Sequence, residues 1–507
     1  MTVLTKTKFA DTFPPQPLDN SHPQKVSELS ASFPQRTFSE SKTSFIDING
    51  NLVDEFQVTP EELQVLEPYL LGTKTSPHSF SYNYGGHQFG HWADQLGDGR
   101  AIVIGQLENS EHEAYELQLK GAGPTPFSRR GDGYAVLRSS VREYLASEAI
   151  HQLGIPTTRA LSIAFTGEKV LRDKFYDGNQ EWEKGAIVCR TARSFIRIGN
   201  FELLASREQT QEIKDLLHFV CEQHYPELSP KTKNSSELAL LFLRALSDRT
   251  AKLFSLWQGV GFTHGVLNTD NMSIVGDTID YGPYGFLDKF DLNYTPNTSD
   301  LPGRRYTYGR QIQIAAWNLS CLASALLGIA DEDSLVSVLK DFESTYNRHW
   351  QERLQEKFGL KEINDNAAPL IQSFFDKVSK NSMDSNFVFR ELSESLRDEN
   401  RAQFLDSLKT KNKEELDFWQ SFYDKLKKEQ SSPAGEAMCQ INPRFILKNH
   451  YLQKAIDGLN NDDDRDFQTA KKLSLNPYED WPEQSDWYAE TPSWAQDRSV
   501  QMNSCSS

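Results

Sequence analysis

Apolar and polar side chains alternate from Ala114 to Lys120. Tyr115, Leu117 and Leu119 fall on one face and Glu116, Gln118 and Lys120 on the other, the period of a strand buried on one side. A short apolar run from Ala101 to Ile104 precedes it and reads as a second strand. A helix is expected from about Ser140 to Leu153, opened by the capping box Ser140-x-x-Glu143 and stopped by Gly154-Ile155-Pro156. After about residue 235 the period lengthens to that of a helix, as along Leu335, Val338, Leu339, Phe342 and Tyr346. The pattern predicts an α+β chain of two lobes, the first β-rich and the second mostly α-helical. The expected divisions are a flexible leader over 1–45, an N-lobe over 46–200, a helical C-lobe over 201–456 and a tail over 457–507. The leader is assigned as flexible because its Ser, Thr, Pro and Lys leave little apolar surface to repay ordering. In the tail, Trp481, Trp487 and Trp494 are expected to anchor an extended segment on the body.

Composition narrows the classes. The chain has 507 residues, 38% hydrophobic and 25% charged, ordinary for a globular protein of more than one lobe. No apolar run approaches the roughly 20 residues of a membrane span, so neither a membrane partner nor a signal sequence is expected, and the expected location is the cytoplasm. A net charge of −17 repels a nucleic-acid backbone and argues against that partner. The five cysteines form no CxxC pair, which fits neither a zinc ribbon nor a secreted disulfide framework.

The candidate chemistry begins in GGHQFGHWADQLGDG, where Gly85, Gly86, Gly90, Gly97 and Gly99 precede Arg100. Such glycines let backbone amides approach a phosphate, although a glycine cluster alone is a weak sign. There is no GxxxxGK[ST], which excludes a P-loop. His87 and His91 have the spacing of a zinc helix, but the glutamate of HExxH is missing and Gly90 lies between them, so they read as polar loop histidines. Lys120 ends the alternating strand and Glu143 follows in the next helix. A glycine loop, a strand lysine and a helix glutamate form the order of a kinase N-lobe; the alternative is that Glu143 only caps its helix and Lys120 only ends its strand. Further on, His264 and Asn271 keep the spacing of a kinase catalytic loop, and Asp280-Tyr281-Gly282 stands where D-F-G would be. The usual catalytic aspartate is Val266, which cannot accept a proton. Asn271 and Asp280 are hard oxygen ligands suited to Mg²⁺ or Mn²⁺ held against ATP phosphates; a buried structural pair is the other reading.

The stretches YNYGGHQFGHWADQLGDGR, ELQLKGAGPTPFSRRGDGYAVLRSSVREYLASEAI, GFTHGVLNTDNMSIVGDTIDYGPYGFLD and NPRFILKNHYLQKAI resemble the selenoprotein O family, also called YdiU. The resemblance runs from about residue 60 to the C-terminus. It implies a protein-kinase-like (pseudokinase) fold that binds ATP in a flipped orientation and transfers AMP to Ser, Thr or Tyr of protein substrates, releasing pyrophosphate. UMP transfer with Mn²⁺ is also attributed to the family. Carried to matching positions, it implies nucleotide contacts from Gly97, Gly99, Arg100, Asp132 and Gly133. Lys120 would bind phosphate and pair with Glu143, and Arg190 and Arg197 would complete the terminal-phosphate pocket. Asn271 and Asp280 would hold the metal and Asp270 would accept the proton. Relatives carry cysteine or selenocysteine at the position of Cys505, for which the resemblance implies a redox role, in some through a cysteine in the loop after DYGP; the other reading is a family remnant or merely exposed thiol. Here that loop has Thr295 and Pro296 and no cysteine. The rival readings are a conventional kinase, against which Val266 speaks, and an inactive nucleotide-binding scaffold, against which the retained Lys120, Asn271 and Asp280 speak.

Overall fold

The computed structural model describes residues 3–504 except 176, 229, 230, 411, 431–433, 489 and 490. Five strands form the central antiparallel sheet: β1 Ser44–Ile48, β2 Ala101–Glu108, β3 Ala114–Lys120, β4 Arg159–Asp173 and β5 Gln180–Ala192, in the spatial order β1-β4-β5-β3-β2. A two-residue strand, Ala135–Val136, pairs with β5 beside them. In this register Arg190 of β5 lies opposite Gln118, and Val188 opposite Lys120. The alternation along β3 is as expected, and Leu117 and Leu119 enter an apolar cluster with Ile102, Ile104 and Ile187. The polar face does not meet solvent, however. Glu116 and Gln118 are buried, because that face is covered by the next layer of the fold.

Helix α1, Leu137–Gln152, crosses the sheet. It starts three residues before the expected Ser140, directly out of Val136, and no side chain caps it. Ser140 is buried and its hydroxyl has no partner, so the expected capping box does not form. Glu143 turns to side chains of the sheet instead, where ion pairs outweigh a local cap. The helical half begins with α2 Ile198–Ser206 and includes α3 Ser235–Val260 and α4 Gln311–Ala325. The expected face from Leu335 to Tyr346 is divided between two helices, Glu332–Lys340 and Phe342–Phe358. The largest apolar core runs from the sheet into these helices, whereas a second one, around Phe358, Phe374, Phe389 and Trp419, belongs to helices between Leu354 and Met438.

The expected flexible leader is packed down where it is described. Phe9 is buried, its ring 4.6 Å from that of Tyr82 and 5.9 Å from that of Phe219, and Val26, Leu29 and Phe33 are also buried. Widely spaced apolar residues in a polar background have no period to reveal them. Along the tail, Trp487 is buried and stacks on Tyr451 at 5.0 Å, while Trp494 is exposed. The tail returns to the loop after DYGP: Asn503 N–H donates to the Pro296 carbonyl and Thr298 N–H to that of Asn503, both at 2.9 Å. Cys505 itself lies outside the described residues.

Candidate active site

Gln118 and Lys120 share one face of β3 because they are two residues apart. Arg190, opposite Gln118, extends from the neighbouring strand to the same place. Here Lys120 Nζ lies 2.5 Å from Glu143 Oε2, and Arg190 Nη1 lies 2.9 Å from Glu143 Oε1. Asp280 closes the cluster from the other side. Its Oδ1 is 2.5 Å from Arg190 Nη1 and 3.6 Å from Lys120 Nζ, and its Oδ2 pairs with Arg197 Nη1. Burial alone would raise the Asp280 pKa, but Arg197, Arg190 and Lys120 together hold the carboxyl well below the usual range. The backbone here is left-handed, with Asp280 at φ 57°, a conformation costly for a residue with a Cβ.

Arg197 begins α2. Its Nη1 also donates to the Asp270 carbonyl at 2.8 Å, and its Nη2 lies 3.3 Å from Asp98 Oδ1. Tyr84 and Gln118 complete the setting of Asp98, donating to its two oxygens at 3.0 and 2.8 Å, and the Tyr84 ring lies 4.5 Å beneath the Arg197 guanidinium. Replacing so many buried charges by apolar side chains is often neutral or stabilising, so packing alone does not call for this network.

The loop from His264 to Asn271 is fixed from several directions. His264 shares a hydrogen bond with the Ile279 carbonyl at 2.9 Å and accepts the Val266 N–H at 3.4 Å, which ties the loop to the residue before Asp280. Asn271 Nδ2 donates to the Val266 carbonyl at 2.8 Å, leaving the amide oxygen as the remaining polar group of that side chain. Asp270 is buried; its Oδ2 accepts from Gln88 Nε2 at 3.2 Å, while its Oδ1 has no hydrogen-bond partner. Burial pushes its pKa up to about 6 against the pull of Gln88 and Arg197. Close backbone contact makes this possible. A Cβ on Gly199 would lie 2.2 Å from the Gly85 carbonyl oxygen, and one on Gly86 would lie 3.0 Å from the Asp270 Cβ.

The other expected contacts are placed differently. Gly97 has φ 69°, and a Cβ there would lie 2.4 Å from the Phe127 ring; one on Gly99 would lie 2.9 Å from the Phe127 carbonyl oxygen. Packing on Phe127 therefore requires both glycines without any ligand. Arg100 is partly buried, burial lowers its pKa, and Glu143 and Asp280 act on its charge. Asp132 is bound by both oxygens to Arg172 at 2.7 and 2.8 Å, a guanidinium whose charge also acts on Arg100, and Gly133 packs against the Gly123 carbonyl. Tyr84, Gln88, Asp98, Gln118 and Gly199 escape the sequence reading. The first four lie within the stretches YNYGGHQFGHWADQLGDGR and ELQLKGAGPTPFSRRGDGYAVLRSSVREYLASEAI, but only the folded contacts give each of the five its place at the site.

A strand lysine paired with a helix glutamate, a His–Asn catalytic loop and a following aspartate define a kinase-like transferase whose usual catalytic aspartate is Val266. The chain belongs to the family described as "Protein adenylyltransferase SelO", whose profile matches residues 19–476. It is 44% identical over 437 residues to "Protein nucleotidyltransferase YdiU" of Methylobacillus flagellatus, covering 84% of each chain. It is 42% identical over 479 residues to the protein of the same name from Nitrosospira multiformis, covering 86% of this chain and 84% of that one. Among solved structures, ROP2 from Toxoplasma gondii, "a virulence factor with a protein-kinase fold and no enzymatic activity", aligns at 13% identity over 75% of this chain and 96% of that one. Its TM-score of 0.22 is too low to carry an argument.

Proposed function

We propose that this chain transfers AMP from ATP to Ser, Thr or Tyr hydroxyls of proteins and releases pyrophosphate. One observation carries the reading beyond the family: Val266 replaces the usual base, while Asp270, four residues on, keeps a carboxylate oxygen without a partner. Lys120, Arg190 and Arg197 are the groups to grip the terminal phosphates, their charges held in readiness by Glu143, Asp280 and Asp98. The acceptor hydroxyl attacks the α-phosphorus. A new P–O bond forms, the bond to the β-phosphate oxygen breaks, and the hydroxyl proton passes to Asp270, whose pKa of about 6 suits a base at neutral pH. Hard oxygens from Asp280 and Asn271 fit Mg²⁺ or Mn²⁺, which would supply charge neutralisation for the triphosphate. We place the acceptor chain over the cavity of about 570 Å³ lined by Phe89, Arg305, Arg310 and Ile314, since Phe89 follows the Gln88 that holds Asp270.

Among the described residues no helix is long and apolar enough to cross a membrane, and Cys189, Cys221, Cys321 and Cys439 are free thiols. Both support a cytoplasmic protein. Intact-mass measurement of candidate acceptor proteins after incubation with the enzyme, ATP and Mg²⁺ tests the proposal. A gain of one AMP is expected, and a gain of one phosphate would replace this reading with a conventional kinase.

A further inference from the structure

His87 does not partner His91, the residue its spacing suggests. The two stand on the short hairpin His87–Gln88/His91–Trp92, and His91 is exposed. His87 Nδ1 instead meets Glu202 Oε1 of α2 at 2.6 Å. Cys321 of α4 joins them, and the nitrogen, carboxylate oxygen and sulfur all lie within 4.8 Å of one another. The Glu202 side chain is only 4% exposed; the Thr269 hydroxyl favours its charged form, but its Oε2 has no hydrogen-bond partner at normal geometry. A buried carboxylate with an unpaired oxygen costs free energy unless a cation meets it.

We infer that His87, Glu202 and Cys321 form a second metal site, for a zinc-like divalent ion, separate from the Asn271–Asp280 pair. The donors decide the ion. One imidazole nitrogen, one carboxylate and one thiolate suit Zn²⁺, whereas Mg²⁺ takes oxygen ligands. Zn–N and Zn–O distances of about 2.0–2.2 Å place two tetrahedral ligands about 3.3 Å apart. The His87–Glu202 contact therefore has to open slightly as the ion enters. The reaction balances: Zn²⁺ bonds to the Cys321 sulfur as the thiol proton leaves to solvent, and His87 Nδ1 binds through its lone pair with the ring proton on Nε2. With His87 28% exposed on its side chain, water can complete the fourth position. Trp92 and Trp317 stand at 5.3 Å from the imidazole and shield its flanks.

Occupancy would pin the hairpin to α2 and α4. The same hairpin holds the catalytic loop: His87 N–H donates to Thr269 Oγ1 at 2.7 Å, and Gln88 to Asp270. The ion would thus act as a positioning element for the loop. The inference does not depend on the reaction proposed above.

The test uses the full chain, purified without a polyhistidine tag and kept in excess Mg²⁺ so that the hard site does not compete. Elemental analysis should find about one zinc per chain after equilibration with Zn²⁺ and gel filtration. Co²⁺ in its place should show a thiolate charge-transfer band in the near ultraviolet. Cys321→Ser, close to isosteric, should abolish that band and weaken zinc at least 10-fold, and His87→Ala should also weaken zinc. Zinc should raise the thermal midpoint of the unaltered chain and not that of the chain carrying both Cys321→Ser and His87→Ala. Absence of stoichiometric zinc, or zinc held as tightly by Cys321→Ser as by the unaltered chain, would overturn the site.

Discussion

Asp280 holds three cations at once, so its loss should act twice. In Asp280→Ala, Lys120, Arg190 and Arg197 lose their shared carboxylate, and breaking a buried ion network of this kind costs about 3–5 kcal/mol. The expected result is a lowered denaturation midpoint, partly restored by ATP, together with loss of transfer even at saturating nucleotide. Unchanged activity at ordinary Mg²⁺ would remove Asp280 from the metal-bound machinery. Asp270→Asn should leave ATP affinity near that of the parent and reduce kcat by about 10²–10⁴-fold, the range of a lost general base. An equal fall in affinity would make Asp270 a binding residue instead. Lys120→Ala and Arg190→Ala should each weaken ATP more than AMP, since AMP lacks the terminal phosphates they are proposed to grip; calorimetric titration with both nucleotides separates the cases. At this scale Lys120, Glu143, Asn271 and Asp280 were legible because they sit in ordered motifs. Arg190 and Arg197 entered only through resemblance, as phosphate-pocket residues, and their convergence on Asp280 emerges from the fold. Asp98, Tyr84 and Gln88 lay in the glycine-rich stretch but were given no role, for what makes them neighbours of Arg197 and Asp270 is contact across the fold.

At the scale of elements, β3 shows how a correct pattern can be given the wrong surroundings. Alternation assigns faces but does not say what covers them, and the polar face of β3 is buried against the site. One consequence is measurable. Burial raises the Glu116 pKa to about 8, although the hydrogen bond from Tyr82 favours the charged form. The folded chain therefore keeps a proton that the unfolded chain releases near its ordinary pKa. This contribution to stability is complete below about pH 4.5 and is lost as pH rises through about 8. Glu116→Gln, neutral throughout, should be roughly 2–4 kcal/mol more stable than the parent at pH 9 and close to it at pH 5; parallel pH profiles in the two proteins would contradict the assignment. Helix α1 offers the same lesson from the other side. The sequence Ser140-x-x-Glu143 is a good local start signal, yet tertiary partners claim Glu143 and the helix begins earlier. Gly199→Ala tests the close approach at α2. The added methyl would meet the Gly85 carbonyl, so transfer should fall sharply while far-ultraviolet circular dichroism stays near that of the parent.

For the whole molecule, the passage from a sheet-rich first part to a helical second part was legible from the lengthening of the period, and the order of motifs gave the pairing of Lys120 with Glu143. The fate of the ends was not. Phe9 and the residues around Leu29 are too scattered to form a pattern, yet they pack the leader onto the sheet. Asn503 brings the tail beside Pro296 and Thr298, close to the loop that follows Asp280. All of these parts serve a single claim, that the kinase-like site carries a transferred group different from that of a kinase. The direct measurement is transfer to one acceptor protein from two preparations of ATP, labelled on the α- or the γ-phosphate, with Asp270→Asn as control. The account predicts that only α-label enters the acceptor, that γ-label leaves as pyrophosphate, and that the variant transfers little of either. Incorporation of γ-label without α-label would contradict it.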